Sequence, residues 1–179
     1  MSVKLICDRL VELIDPVKYR YGGLEYGASE DWSFENHLFE FEERNWRILC
    51  LQPDEEKYNK LRILRRLAKL IDCEKDDGNT VDGFLEKTNV PYIKIFLIKQ
   101  TEFPSRVLKG FSPERWGTEI ISVQYLDQDE KRLSEEIIFG SGFIHYETVS
   151  VSEFYIKPNG ELSNIQPHKN EGLNEIFEV

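Results

Sequence analysis

The sequence predicts an α+β domain, with two main helices packed on one face of a predominantly antiparallel sheet. Three observations carry this expectation. A helical pattern runs from Asp54 to Ile71, a second occupies the N-terminus, and the last third reads as successive strands. Too few helices separate those later strands for a doubly wound sheet. Glycine bends and aromatic strands favour, as a variant, a strongly curved sheet enclosing an aromatic cavity. A length of 179 residues suits one domain, here residues 1–166, followed by a polar tail over 167–179.

The elements follow in order. Ser2 can cap a first helix in which Leu5, Ile6, Leu10, Leu13 and Ile14 recur at helical spacing, and Pro16 ends it. The passage from Tyr19 through Gly22, Gly23 and Tyr26 to Gly27 lacks the spacing and the lysine of a Walker loop, and reads as a turn whose tyrosines cover the core's edge. Leu38, Phe39 and Phe41, then Trp46 to Leu51, suggest a β-hairpin around residues 42–45. Asp54 then opens the central helix, with Glu55 and Glu56 in its first turn, where the helix dipole favours negative charge.

On that helix, Leu61, Ile63, Leu64, Leu67, Ala68, Leu70 and Ile71 share one arc, while Tyr58, Arg62, Arg65, Arg66 and Lys69 share the opposite one. Like charges three and four apart each cost roughly 0.2–0.5 kcal/mol, so acidic groups should offset the stripe. They can come from the Asp76, Asp77 and Asp82 segment or from a partner. Val81 to Lys87 adds a short helical turn. Tyr92 to Ile98, isoleucine-rich and bounded by Pro91, reads as a central strand. Between Thr101 and Gly117 lies the longest irregular connection, with one helical turn from Pro113 to Trp116, and it offers Phe103, Arg106, Phe111, Arg115 and Trp116 as a recognition surface. Glu119 to Leu126, Ile137 to Phe139, Phe143 to Ser152 and Glu153 to Lys157 read as extended, and Asn159-Gly160 as a hairpin turn.

Candidate chemistry is sparse. Glu40 and Glu42, and likewise His145 and Glu147, lie two apart and would project from one strand face, as an alternative pocket or polar site requires. Ser141 between Gly140 and Gly142 lacks the spacing of a nucleophile elbow. Cys7, Cys50 and Cys73 are too scattered for a disulfide framework or a zinc site. No catalytic residue, metal or cofactor is expected. A net charge of −10 disfavours nucleic acid, and no apolar run is long enough to span a bilayer, so a cytoplasmic protein is expected.

These features point to a non-catalytic interaction or inhibitor protein that binds another protein through Tyr58, Arg62, Arg65, Arg66 and Lys69. The alternative is a small enzyme or pocket protein holding a small apolar ligand. The enzyme question stays open, with the non-catalytic reading ahead.

Overall fold

The structure, a computed structural model, describes residues 21–27, 47–64, 71–75, 80–88, 90–99, 101–149 and 151–158. Its strands are β1 Tyr21–Tyr26, β2 Arg47–Gln52, β3 Ile71–Lys75, β4 Ile95–Ile98, β5 Ile120–Gln124, β6 Ile144–Val149 and β7 Ser152–Ile156. Its helices are α1 Glu55–Leu64, α2 Val81–Thr88, α3 Pro104–Lys109, α4 Pro113–Trp116 and α5 Gln128–Gly140. The strands form one sheet in the order β3-β2-β1-β4-β5-β7-β6. β1 to β5 run parallel; β7 runs antiparallel to both β5 and β6.

This corrects the expected fold class: the sheet is mostly parallel, and its antiparallel part is confined to the β6–β7 hairpin at one edge. Alternation along a strand reports which residues share a face and not the direction of the neighbouring strand, so the misreading has a physical origin. The expected hairpin into β2 fails for the same reason. Both flanks of β2 are taken by β1 and β3, and its proposed partner around Leu38 to Phe41 lies outside the described residues. The first helix, the Asn159-Gly160 turn and the tail lie outside them too.

Nor is the sheet covered on one face alone. Leu24, Leu49, Phe96, Ile121 and Tyr155 point into a core with Phe84 and Leu85 of α2, Phe111, and Ile138 of α5. Their strand neighbours Cys50, Ile95, Ile120, Phe154 and Ile156, which alternate onto the opposite face, are equally buried. Burial on both faces is the normal condition of a parallel sheet. Within the core, Phe96 and Phe111 meet edge to face at 4.5 Å.

Two local readings change with this sheet. The glycine-rich passage is a strand: Gly22 marks a register shift between Tyr21 and Gly23, and Leu24 and Glu25 are wholly buried between β2 and β4. Ile137 to Phe139, expected as extended, belongs to α5. That helix starts where Asp127 accepts a hydrogen bond from the Glu130 N–H at 2.8 Å, and it buries Glu130, Ser134 and Ile138, each four residues on from the last. Gly142, at φ 90°, then turns the chain into β6.

The central helix is shorter than its periodicity suggests. α1 starts as read, with Asp54 Oδ1 accepting from the Lys57 N–H at 2.9 Å, but Ile71 already opens β3. Leu61 is buried, whereas Ile63, placed by the same periodicity on the buried arc, is 61% exposed. Among the described residues, no helix is long and apolar enough to cross a membrane.

Candidate functional site

The chain passes from β1 outward to β2 and β3, then returns to lay β4 on the other side of β1. Strand order therefore reverses at the carboxyl ends of β1 and β4. In open parallel sheets this is where ligands bind.

The backbone at this edge is tied together. The Gly27 N–H donates to the Leu51 carbonyl at 2.8 Å, and the Lys99 N–H to the Tyr26 carbonyl at 2.8 Å. Gly27, the residue after β1, has φ 73°, a left-handed conformation strained for any residue with a Cβ. Below it, Glu25 is completely buried, and its Oε1 lies 3.0 Å from Nζ of Lys99, itself 3% exposed. Alternation places Lys99, two residues beyond Leu97, on the same face as Glu25. The Cys50 thiol lies 3.9 Å from the other carboxylate oxygen, and Gln52, buried at the end of β2, accepts the Asp54 N–H at 2.9 Å. A carboxylate, an ammonium and a primary amide thus share one strand edge.

The segment after β4 is braced from α5. Glu130 accepts the Ser105 N–H at 3.2 Å and the Ser105 hydroxyl at 3.0 Å, which ties the start of α3 to α5. Phe103, just before α3, is exposed and lies under the Arg106 guanidinium at 4.3 Å.

The residues singled out from sequence are dispersed. Phe103 and Arg106 stand at the carboxyl edge. Phe111 and Trp116 are buried, and the Trp116 carbonyl accepts the Ile93 N–H ahead of β4, which puts the other half of the expected recognition surface at the opposite end of the sheet. Arg115 lies over the Trp116 ring at 4.7 Å and pairs with Glu86. Tyr58 and Arg62 stack on each other at 5.9 Å along α1, whereas Arg65, Arg66 and Lys69 lie outside the described residues, as do Glu40 and Glu42.

His145 and Glu147 do not share a face. A bulge between them pairs His145 with Tyr155 and Glu147 with Phe154, adjacent residues that point to opposite sides of β7. His145 Nε2 instead lies 2.6 Å from Glu153, which also accepts the Thr148 hydroxyl at 2.6 Å. Burial alone would raise the Glu153 pKa, but the Thr148 and His145 hydrogen bonds and the Lys131 charge hold it below the usual carboxylate range. Glu147 is the reverse case, its pKa raised by burial. Desolvation also raises both hydroxyls of the Tyr125–Tyr155 pair, 3.0 Å apart.

Sequence reasoning missed Glu25, Gly27, Gln52 and Lys99. The available signal was Leu24-Glu25-Tyr26-Gly27 followed, after Trp46, by a second apolar run and a helix start, the spacing of two parallel strands with a crossover.

No protein-family model matches this sequence, and no curated protein matches it in sequence. Solved structures do match in shape. The N-terminal domain of human METTL16 in complex with SAH aligns at TM-score 0.58 and 11% identity, over 86% of this chain and 66% of that one. The chain therefore spans just under two thirds of that domain. Aeropyrum pernix fibrillarin with natively bound S-adenosyl-L-methionine aligns at 0.56 and 16%, over 86% and 74%. Precorrin-6y C5,15-methyltransferase from Geobacter metallireducens aligns at 0.53 and 12%, over 86% and 85%. The fold is Rossmann-like, and these solved structures of methyltransferases share it. This likeness goes against the expected non-catalytic interaction or inhibitor protein, and the mostly parallel sheet corrects the antiparallel one on which its pocket or small-enzyme alternative was built. It goes equally against the expected protein partner and the low expectation for nucleic acid, which had rested on whole-chain charge and not on any site.

Proposed function

We propose that the chain is an S-adenosylmethionine-dependent methyltransferase that holds its cofactor in the crevice between β1 and β4. The observation that carries this reading is the left-handed Gly27 at the strand-order reversal, with Glu25 and Gln52 at the same edge. A nucleoside bearing an amino-acid tail needs a close backbone approach, a hydrogen-bond partner for its ribose and polar groups for its charged end. Gly27 supplies the first and the Gln52 amide the second. Glu25 and Lys99 lie beneath the third. The cofactor, when bound, supplies a methyl group activated by its sulfonium. At the crevice's rim, Phe103 with Arg106 over its ring presents a flat face to the methyl acceptor.

Isothermal titration calorimetry of the purified chain with S-adenosylmethionine and S-adenosylhomocysteine tests the reading. The expected result is micromolar binding at one site, weakened tenfold or more by Gly27→Val, whose side chain would fill the approach and strain the turn. No binding of either compound at millimolar concentration would overturn it.

A further inference from the structure

β6 is the outermost strand of the sheet on the side away from β3 and, among the described residues, pairs with β7 alone. A six-residue edge is a template for another strand, and a bulge is one device that keeps such edges from pairing. The bulge in β6 falls at Tyr146, where the register shifts between His145 and Glu147. It puts His145 and Thr148, three apart, on the same side of the sheet, since their partners Tyr155 and Glu153 are two apart on β7. Outside them, Ile144 pairs with Ile156 and Val149 with Ser152. This order reads the same from either end of the strand. A regular strand laid on the edge loses register at the bulge, but a second β6 running antiparallel keeps it. Ile144 then stands opposite Val149 and His145 opposite Thr148, and the two extra residues offset each other.

α5 adds a charged stripe to this edge. Gln128, Lys131, Arg132, Glu135, Glu136 and Phe139 recur at helical spacing and line an open groove of about 490 Å³ along the helix. Lys131 lies 3.4 Å from Glu153, which also holds His145 and Thr148, and the Phe139 and His145 rings both meet the Tyr155 ring edge to face, at 5.8 and 5.6 Å. Stripe and strand therefore form one surface. Five polar side chains and one ring do not make the apolar concavity of a small-molecule pocket. The cations sit toward the amino end of the stripe and the carboxylates one turn on, with Arg132 and Glu136 65% and 66% exposed and 3.5 Å apart. The stripe is formally neutral in a chain of net charge −10, so a copy of equal charge can approach it without the repulsion that the whole chain imposes.

We infer that this edge joins two copies of the chain about a two-fold axis, β6 against β6 and α5 beside α5. The sheet then runs on from one copy into the other. α5 lies over β7, so three strand spacings, about 14 Å, separate it from its copy, a gap that an arginine and a glutamate span between them. The antiparallel setting brings Arg132 of each copy to Glu136 of the other. The joint is independent of any cofactor.

Sedimentation equilibrium of the full chain at low salt tests the inference. The wild type is expected to be a dimer with a micromolar dissociation constant. Arg132→Glu sets carboxylates against each other across the axis, and Glu136→Arg sets guanidinium groups; each should weaken the dimer by about tenfold or more. Both positions are exposed, so circular dichroism should find the fold intact. An equimolar mixture of the two single variants should associate like the wild type, because each chain then meets the opposite charge, and the double variant should associate with itself. A pair acting only within one chain is lost in both single variants, and mixing them cannot restore it. Amide exchange reads the strand separately: protection of residues 144–149 should rise with protein concentration. A monomer at every concentration up to the millimolar would overturn the inference and leave the edge to another occupant. A dimer unchanged in both single variants, a mixture that stays monomeric, or concentration-dependent protection confined to other strands would overturn it equally.

Discussion

β4 is flanked by a buried lysine–glutamate pair at each end, and the two lie in different settings. At the amino end, Lys94 lies 3.7 Å from Glu119, on the core face, and the Lys94 carbonyl accepts the N–H groups of Glu119 and Ile120. Around it, Trp116 donates its indole N–H to Asp82 at 2.7 Å, and Asp82 also accepts the N–H and the hydroxyl of Ser112, which pins α4 to α2. At the carboxyl end, Lys99 and Glu25 lie on the other face, at a strand-order reversal beside a left-handed glycine. The amino-end pair joins residues of adjacent strands at a closed, heavily hydrogen-bonded corner. The carboxyl-end pair joins the strands between which the strand order reverses. On the proposed reading, the same chemistry is structural in one setting and lies beneath the ligand in the other.

Three changes would sharpen or break that contrast. The largest effect is expected from Lys94→Met, which removes the ammonium that lies 3.7 Å from the buried Glu119 carboxylate and should cost about 3–5 kcal/mol of stability in urea unfolding. Adding Glu119→Gln should recover most of it, and nucleoside affinity of the folded fraction should stay unchanged; a loss of affinity would mean that the two ends are coupled. Asp82→Ala, which removes the acceptor of three hydrogen bonds, should cost about 2 kcal/mol by the same measurement, again without touching binding.

The smallest effect is expected at Glu147, which lies on neither end of β4. One of its carboxylate oxygens is buried without a hydrogen-bond partner among the described residues, and burial raises its pKa. Because the folded pKa lies above the unfolded one, ionisation opposes folding: the penalty is absent below the ordinary carboxylate range and is felt once pH rises through the raised value. Glu147→Gln should therefore raise the thermal midpoint slightly at pH 7, with no gain at pH 3. A gain of equal size at both pH values would show that charge is not the cause.

Much of the local structure was legible in the sequence. Tyr92 to Ile98 reads as a central strand because its apolar run is nearly unbroken, and residues 95–98 form β4 at the middle of the sheet. The helical turn from Pro113 to Trp116 and the helix near Val81 follow from proline placement and apolar spacing. What the sequence did not disclose is direction and order. Glu25 looks like any solvent-facing glutamate in a glycine-rich passage until β2 and β4 are laid on either side of it, and Lys99 looks like a strand-terminal charge until β1 brings Glu25 to it. Their partnership spans residues that only the crossover connections bring together. The His145–Glu147 reading failed for a smaller reason, a single bulged residue that puts the two on opposite faces.

The most direct test follows amide hydrogen exchange of the full chain as S-adenosylhomocysteine is added. The account predicts added protection at the carboxyl edge, in residues 24–27, 50–54 and 97–101, and none at the amino edge, in residues 92–95 and 116–120. Protection centred on the Lys94–Glu119 corner, or spread evenly over both ends of β4, would contradict it.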